Sequence, residues 1–303
     1  MRPGTSEHPR AVTTGLLKDW PLPLADGDKN ASGRVLVVGG NAGVPGAVLL
    51  AGEAAMRAGA GKLRVLTVAS VAPVLGVALP EAYVIGVDAD DDGELSITAA
   101  DRIVELGRQS DAVLLGPGFK NTRTVTRLLR RVVPQLDCAV CLDALALAYL
   151  TDDVSGVRHL AGRCVLTPNP TELFKTLGGE PPQDPNSPEG IRQLLAAATQ
   201  LAATADATVV TGAATSFVAR PDGGVFMADG GGQGLAASGS RDVKAGIISG
   251  LLARGAAPDQ AGVWGEHVHG RCGERLASEF GRRGFLPRDL LPVIPRVFTE
   301  LES

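Results

Sequence analysis

Short apolar runs alternate with longer segments in which apolar residues recur every three or four positions, and the alternation continues over most of the chain. The first strong run, 34–39 (Arg-Val-Leu-Val-Val-Gly), predicts a strand, the glycine-rich 40–43 a turn, and the alanine-rich 46–58 a helix. Further strands are predicted at 62–68, 83–87, 111–115, 140–142 and 163–167, each followed by a helical stretch, with 144–150 and 171–177 among them. A proline-rich surface loop at 181–185 leads to a long amphipathic helix over 188–204. Three short strands follow at 208–211, 216–220 and 225–228, the last two joined by Pro221-Asp222-Gly223-Gly224, a hairpin turn signal. The glycine-rich 230–239 then opens a helix over 242–254, and helices over 258–282 and 288–300 close the chain. Strands that alternate with helices predict an α/β fold, a doubly wound and mostly parallel sheet with helices on both faces. We expect one such domain over 15–303, preceded by a disordered leader at 1–14.

Composition narrows what such a fold is for. The 303 residues are 45% apolar, enough for a large core, and no apolar run is long enough to cross a bilayer. The first ten residues, MRPGTSEHPR, lack the apolar stretch of a signal peptide, so a cytoplasmic protein is expected. Basic residues number 29 against 33 acidic, and the Lys and Arg form no block, which speaks against a nucleic-acid or membrane surface and for small-molecule chemistry. Cys138 and Cys141 form a C-x-x-C, but 138–142 reads as an apolar strand and no second pair supports zinc, so packing is the favoured reading.

Two stretches carry candidate chemistry. At Gly239-Ser240-Arg241-Asp242 a glycine-rich loop turns into a helix, so free backbone N–H groups and the positive end of the helix dipole face any anion placed there, phosphate above all. Asp242 in the first turn can accept a proton from an attacking hydroxyl; the plainer reading makes Ser240 an N-cap and Asp242 a dipole-compensating acid. At 167–172 (Thr-Pro-Asn-Pro-Thr-Glu), Asn169 and Glu172 are three apart on a first helical turn and can hold waters of a Mg²⁺ bound mainly to phosphates; the plainer reading makes them a capping box around Pro170. The glycines at 39–43 and 116–118 allow close approach to the backbone, without the G-x-G-x-x-G spacing of dinucleotide dehydrogenases. His267 and His269, two apart on a helix, face different directions and make a poor metal pair.

In order and spacing, these elements resemble the ribokinase-like ADP- or ATP-dependent NAD(P)H-hydrate dehydratases, once described as carbohydrate-kinase-like proteins. The stretches that carry the resemblance are 33–40 with Gly46-Ala47, 53–61 (Glu-Ala-Ala-Met-Arg-Ala-Gly-Ala-Gly), 115–119 (Leu-Gly-Pro-Gly-Phe), Asp143-Ala144, 167–172, 234–237 and 239–246. The resemblance implies a three-layer ribokinase-like fold and repair of hydrated NADH or NADPH, with ADP or ATP as co-substrate and Mg²⁺ as cofactor. It implies that Ala47, Gly118, Asn169 and Asp242 lie against the hydrated nicotinamide, with Asp242 as the catalytic base. Thr211, Gly212, Thr215, Gly239, Ser240 and Arg241 would hold the adenine nucleotide, and Asn169 and Glu172 the metal, through water or phosphate. A homo-oligomer such as a tetramer is implied as well.

The chain departs from the family pattern at several of these positions. Asn169 stands where a histidine is usual, Thr211-Gly212 where lysine-glycine is usual, and Arg241 where a glycine precedes the catalytic aspartate. Lys244 replaces an apolar residue and adds a charge, and Asn30, in 28–33, replaces a glycine. Arg241 either restores the charge lost at Thr211 or crowds the anion site. Two alternatives therefore stand beside the dehydratase: a hydroxymethyl kinase of the same fold, suggested by Asn169-x-x-Glu172, and a degenerate, non-catalytic nucleotide-binding protein, suggested by Thr211 and Arg241 together.

Overall fold

Where β-branched and leucine-rich runs are bounded by glycine or polar residues the chain extends, and where small residues and spaced leucines follow it coils. The structure is a computed structural model that describes residues 4–5, 7–23 and 32–302; positions 28–31 of the altered lysine segment lie outside them. The elements are β1 (Arg10–Ala11), α1 (Thr14–Lys18), β2 (Arg34–Val38), α2 (Gly46–Arg57), β3 (Lys62–Val68), α3 (Ala72–Ala78), β4 (Ala82–Val87), α4 (Ala100–Gly107), β5 (Ala112–Leu115), α5 (Thr122–Val132), β6 (Ala139–Asp143), β7 (Cys164–Thr167) and α6 (Pro170–Thr176). They continue through α7 (Pro188–Ala205), β8 (Thr208–Gly212), β9 (Thr215–Ala219), β10 (Val225–Asp229), α8 (Ser240–Ala253), α9 (Pro258–Phe280), α10 (Pro287–Leu290) and α11 (Ile294–Glu302).

The ten strands of the described residues form one sheet in the order β1-β10-β9-β8-β7-β6-β5-β2-β3-β4. The run from β8 to β4 is parallel throughout, and β9 pairs antiparallel with both β8 and β10. Alternate residues of the same strands feed two cores. Val37, Leu114, Cys141 and Val210 pack with α2, α8, α9 and α11, while Leu36, Val113, Leu142 and Val209 pack with α4, α5 and α7. This is the expected three-layer ribokinase-like arrangement. All four cysteines are free thiols; Cys141 is buried in the first core and Cys138 packs against the second, so the two sulfurs of the C-x-x-C serve opposite faces of the sheet.

Three stretches differ from the sequence expectation. Part of the presumed leader is ordered: Arg10 and Ala11 pair in parallel with Phe226 and Met227, and α1 starts at Thr14. The open edge of β10 supplies the unpaired backbone groups, and Trp20, stacked on Phe226 at 5.7 Å, anchors the segment that follows. The 144–150 stretch coils as a 3₁₀ helix that starts from Ala144 at φ +48°. The expected helix at 288–300 is broken into α10, a 3₁₀ turn and α11, because Pro292 and Pro295 remove N–H donors and crowd the preceding turn.

Candidate functional site

From β2 the chain winds outward through β3 and β4, then returns to the other side of β2 to make β5. The loops that leave the carboxyl ends of β2 and β5 therefore diverge, and a crevice opens between them, the place where doubly wound sheets bind ligands. Here the loops are laced together by backbone. Gly40 N–H donates to Pro117 O at 2.8 Å and Asn41 N–H to Gly118 O at 3.1 Å. Gly118 lies at φ +79°, and a Cβ there would stand 2.8 Å from Val44 O and 3.2 Å from the Cβ of Ala47. Only glycine fits. Ala47 and Gly118, both expected at the substrate, are thus brought side by side.

A residue that sequence reasoning passed over fixes this crevice. Glu94 is fully buried; Asn41 Nδ2 donates to its Oε1 at 2.7 Å, and the amides of Lys120 and Asn121 donate to its Oε2 at 2.8 and 3.0 Å. An open cavity of about 500 Å³, lined by Asn41, Lys120 and Arg123 among others, adjoins it.

The opposite wall is built from side chains at the ends of β6, β7 and β8 and from the start of α8. Thr167 Oγ1 donates to Asp143 Oδ1 at 2.6 Å, while Asp143 Oδ2 is buried with no hydrogen-bond partner. Burial first, and the charge of Asp242 next, push the Asp143 carboxyl up to about 7. One strand over, Asn169 caps α6 in a complete capping box: its Oδ1 accepts from Glu172 N–H at 2.9 Å and Glu172 Oε2 accepts from Asn169 N–H at 2.8 Å. The plainer reading of this pair is therefore realised, and Asn169 Oδ1 and Glu172 Oε2 are both engaged. At the end of β8, Thr211 is fully buried and its Oγ1 has no partner.

Helix α8 starts two residues earlier than expected, at Ser240, with Gly239 at its N-cap in a left-handed conformation. Ser240 is consequently not the N-cap. Its amide turns back to Ala237 O at 3.1 Å, and its hydroxyl points inward, 2.9 Å from His269 Nε2 of α9. The amides of Arg241 and Asp242 have no acceptor among the described residues, as a helix start dictates. The guanidinium of Arg241 crosses to β8: Nη2 donates to Gly212 O at 3.3 Å, and Nη1 is buried without a partner. Asp242 sits in the first turn, and burial pushes its carboxyl up to about 6.

The position of α8 follows from a backbone contact with α2. A Cβ at Gly246 would stand 2.2 Å from Ala51 O and one at Gly250 2.4 Å from Ala55 O, so only glycines let the helices meet this closely. Lys244 does not add a free charge near the nucleotide loop, contrary to the sequence expectation. It is buried, and its Nζ pairs with Glu266 Oε2 of α9 at 2.9 Å. His267 and His269 part company as anticipated: His269 faces Ser240, and His267 lines a separate cavity with Arg271 and Glu274.

Asp143 enters the sequence pattern only within the stretch Asp143-Ala144 and without a role, although a carboxylate ending a strand otherwise apolar is a signal. His269 is weighed there only as half of a metal pair, and Glu266 carries no signal, since three-residue spacing of polar residues is ordinary on any helix.

Taken together, the strand order, the crevice at the sheet's switch point and the anion-ready helix start define a ribokinase-like α/β protein. Its relatives agree in detail. Residues 35–296 match the family described as NAD(P)H-hydrate dehydratase, and the chain belongs to that family. It is 40% identical over 299 residues, 98% of this chain and 99% of the other, to the ADP-dependent (S)-NAD(P)H-hydrate dehydratase of Xanthomonas campestris pv. campestris. It is 32% identical over 298 residues, 98% of each chain, to the protein of the same name from Bacillus subtilis. A crystal structure of the ADP/ATP-dependent NAD(P)H-hydrate dehydratase from Bacillus subtilis, co-crystallized with ATP/Mg²⁺ and soaked with CoA, superposes with a TM-score of 0.77 at 29% identity over 97% of this chain and 99% of that one.

Proposed function

We propose that this chain dehydrates hydrated NADH or NADPH at the expense of ADP or ATP, with Asp242 as the base. The observation that carries the reading is a half-buried carboxylate, held at about 6, in the same helical turn as two unpaired amides and a guanidinium with a free N–H. A base near that value is ionised at neutral pH yet still basic enough to take a proton from a hydroxyl. The substrate ring lies in the crevice against Ala47 and Gly118, and the nucleotide runs along Thr211, Gly212, Thr215 and the start of α8, from Gly239 through Ser240 to Arg241. Asp242 takes the proton of the substrate hydroxyl as its oxygen bonds to the terminal phosphorus and the bond from that phosphorus to the bridging oxygen breaks, releasing AMP from ADP or ADP from ATP, while the amides of Arg241 and Asp242 and the Arg241 guanidinium bind the phosphoryl oxygens. Phosphate then leaves with the C–O bond, a far better leaving group than hydroxide, and a ring proton is released.

A Mg²⁺ fits the donors present. Asp143 Oδ2 is a buried oxygen with no partner among the described residues, and the carboxylates of Asp242 and Glu172 lie near enough to act on its charge, so the donors are hard oxygens of the kind Mg²⁺ takes. Because the capping box engages Asn169 Oδ1 and Glu172 Oε2, this pair would hold the ion through water. When bound, the ion supplies positive charge to the nucleotide phosphates. The four free thiols suit a reducing, cytosolic compartment, and Val74, Val77 and Tyr83, exposed beside the open edge of β4, offer a surface for a homo-oligomer.

The test is recovery of NADH absorbance from hydrated NADH with ADP or ATP and Mg²⁺. Turnover that Asp242→Asn lowers by about a thousandfold, with nucleotide binding kept, is the expected result. Nucleotide binding without turnover in the unaltered protein would establish the non-catalytic alternative, and phosphorylation of a hydroxymethyl compound the kinase.

A further inference from the structure

Two buried polar links join α8 to α9 behind the candidate nucleotide site. Ser240 Oγ lies 2.9 Å from His269 Nε2, and one helical turn further on Lys244 Nζ lies 2.9 Å from Glu266 Oε2. The spacing is regular: Ser240 and Lys244 are four apart on α8, Glu266 and His269 three apart on α9, so both pairs lie on facing stripes. All four side chains are buried. Glu266 has a third neighbour, the Ser216 hydroxyl of β9, which helps hold its carboxylate charged. Ser216 pairs in register with Gly212, whose carbonyl receives Arg241.

A buried ion pair seldom improves stability over apolar residues of the same volume, so its presence here asks for another explanation. We infer that Glu266, with Lys244 and His269, is a positioning residue that holds the two walls of the nucleotide site, the β8–β9 turn and the first turn of α8, in register. Through Ser216 it fixes the strand carrying Gly212; through Lys244, and through His269 against Ser240, it fixes the helix start carrying Arg241 and Asp242. Lys244 lies buried under the first turn of α8, and Glu266 lines the separate cavity of His267, Arg271 and Glu274. The inference rests on the proposed nucleotide-binding role of this site.

The experiment replaces the pair by apolar residues of similar size, Lys244→Met with Glu266→Met, and compares it with Glu266→Gln alone. The single change strands the Lys244 charge and lowers thermal stability. The double variant melts at or above the temperature of the unaltered protein. Its nucleotide KM, and its ADP dissociation constant by calorimetry, rise about five- to tenfold, with the KM for hydrated NADH within about twofold. A double variant that keeps both the stability and the full ADP affinity would overturn the positioning role. If the unaltered protein binds no ADP at all, it is the functional proposal that fails, and the calorimetry shows this independently of turnover.

Discussion

The two walls of the site are made by different means. The crevice between β2 and β5 is backbone: paired amides and carbonyls, a glycine at φ +79°, and one buried glutamate that ties the loops from behind. The wall formed by β6, β7, β8 and α8 is side chain, and it holds three buried polar atoms without partners among the described residues, Asp143 Oδ2, Thr211 Oγ1 and Arg241 Nη1. Unsatisfied buried groups are costly, so their concentration at one end of the sheet marks where a charged ligand is expected to complete the hydrogen bonding. The backbone wall is shaped before ligand arrives; the side-chain wall is chemically poised for it.

Changes on each side should separate these two characters. Asp242 itself apart, the largest effect is expected at the backbone wall: Gly118→Ala drives a Cβ to within 2.8 Å of Val44 O, and turnover should fall about a hundredfold as the loop shifts, with an unchanged ADP dissociation constant. Weaker nucleotide binding in that variant would show that the walls are not separable. On the other wall, Arg241→Met removes the guanidinium and should raise the nucleotide KM about ten- to thirtyfold, leaving the hydrated-NADH KM alone. An unchanged nucleotide KM would assign Arg241 to crowding rather than binding.

Next in size is the pH response. With Asp242 at about 6 and active when ionised, kcat/KM should climb with pH through that value, so that at pH 5 it is about a tenth of its plateau. A flat profile between pH 5 and 7 would remove Asp242 from the base role. The smallest effect concerns stability. Asp143 is held at about 7, above its unfolded value near 4, so what it contributes to folding is intact below about 4 and is lost as the pH rises through about 7. Asp143→Asn should accordingly raise the melting temperature by a few degrees at pH 8 and by much less at pH 4. Equal shifts at both would locate the cost in packing instead of charge.

The same division governs how much could be read from the sequence. Glycines at 39–43 and 116–118, the helix start at 239–242 and the capping residues at 169–172 are local signals, because backbone constraints act over a few residues, and each lies within two residues of where the pattern placed it. The partners that complete the second wall are remote: Thr167 for Asp143 is 24 residues away, Glu266 for Lys244 is 22, His269 for Ser240 is 29. Hydrophobic periodicity reports which face of a helix is inside, and the family pattern marked Lys244 as an added charge; neither reveals that α9 brings a carboxylate to meet it. Likewise, β1 was invisible as two residues of no marked pattern, formed only because β10 leaves an edge to join.

The seam between α2 and α8 has a consequence for which substrates the fold can serve. One helix begins beside Ala47, the other beside Asp242, and they are locked main chain to main chain at Gly246 and Gly250. On the proposed reading of the site, the span from the hydride-donor ring to the phosphoryl donor would be gauged by two rods clamped together, as by a caliper. Drift in the lining residues can retune what is recognised at either jaw, but the gap between the jaws stays set.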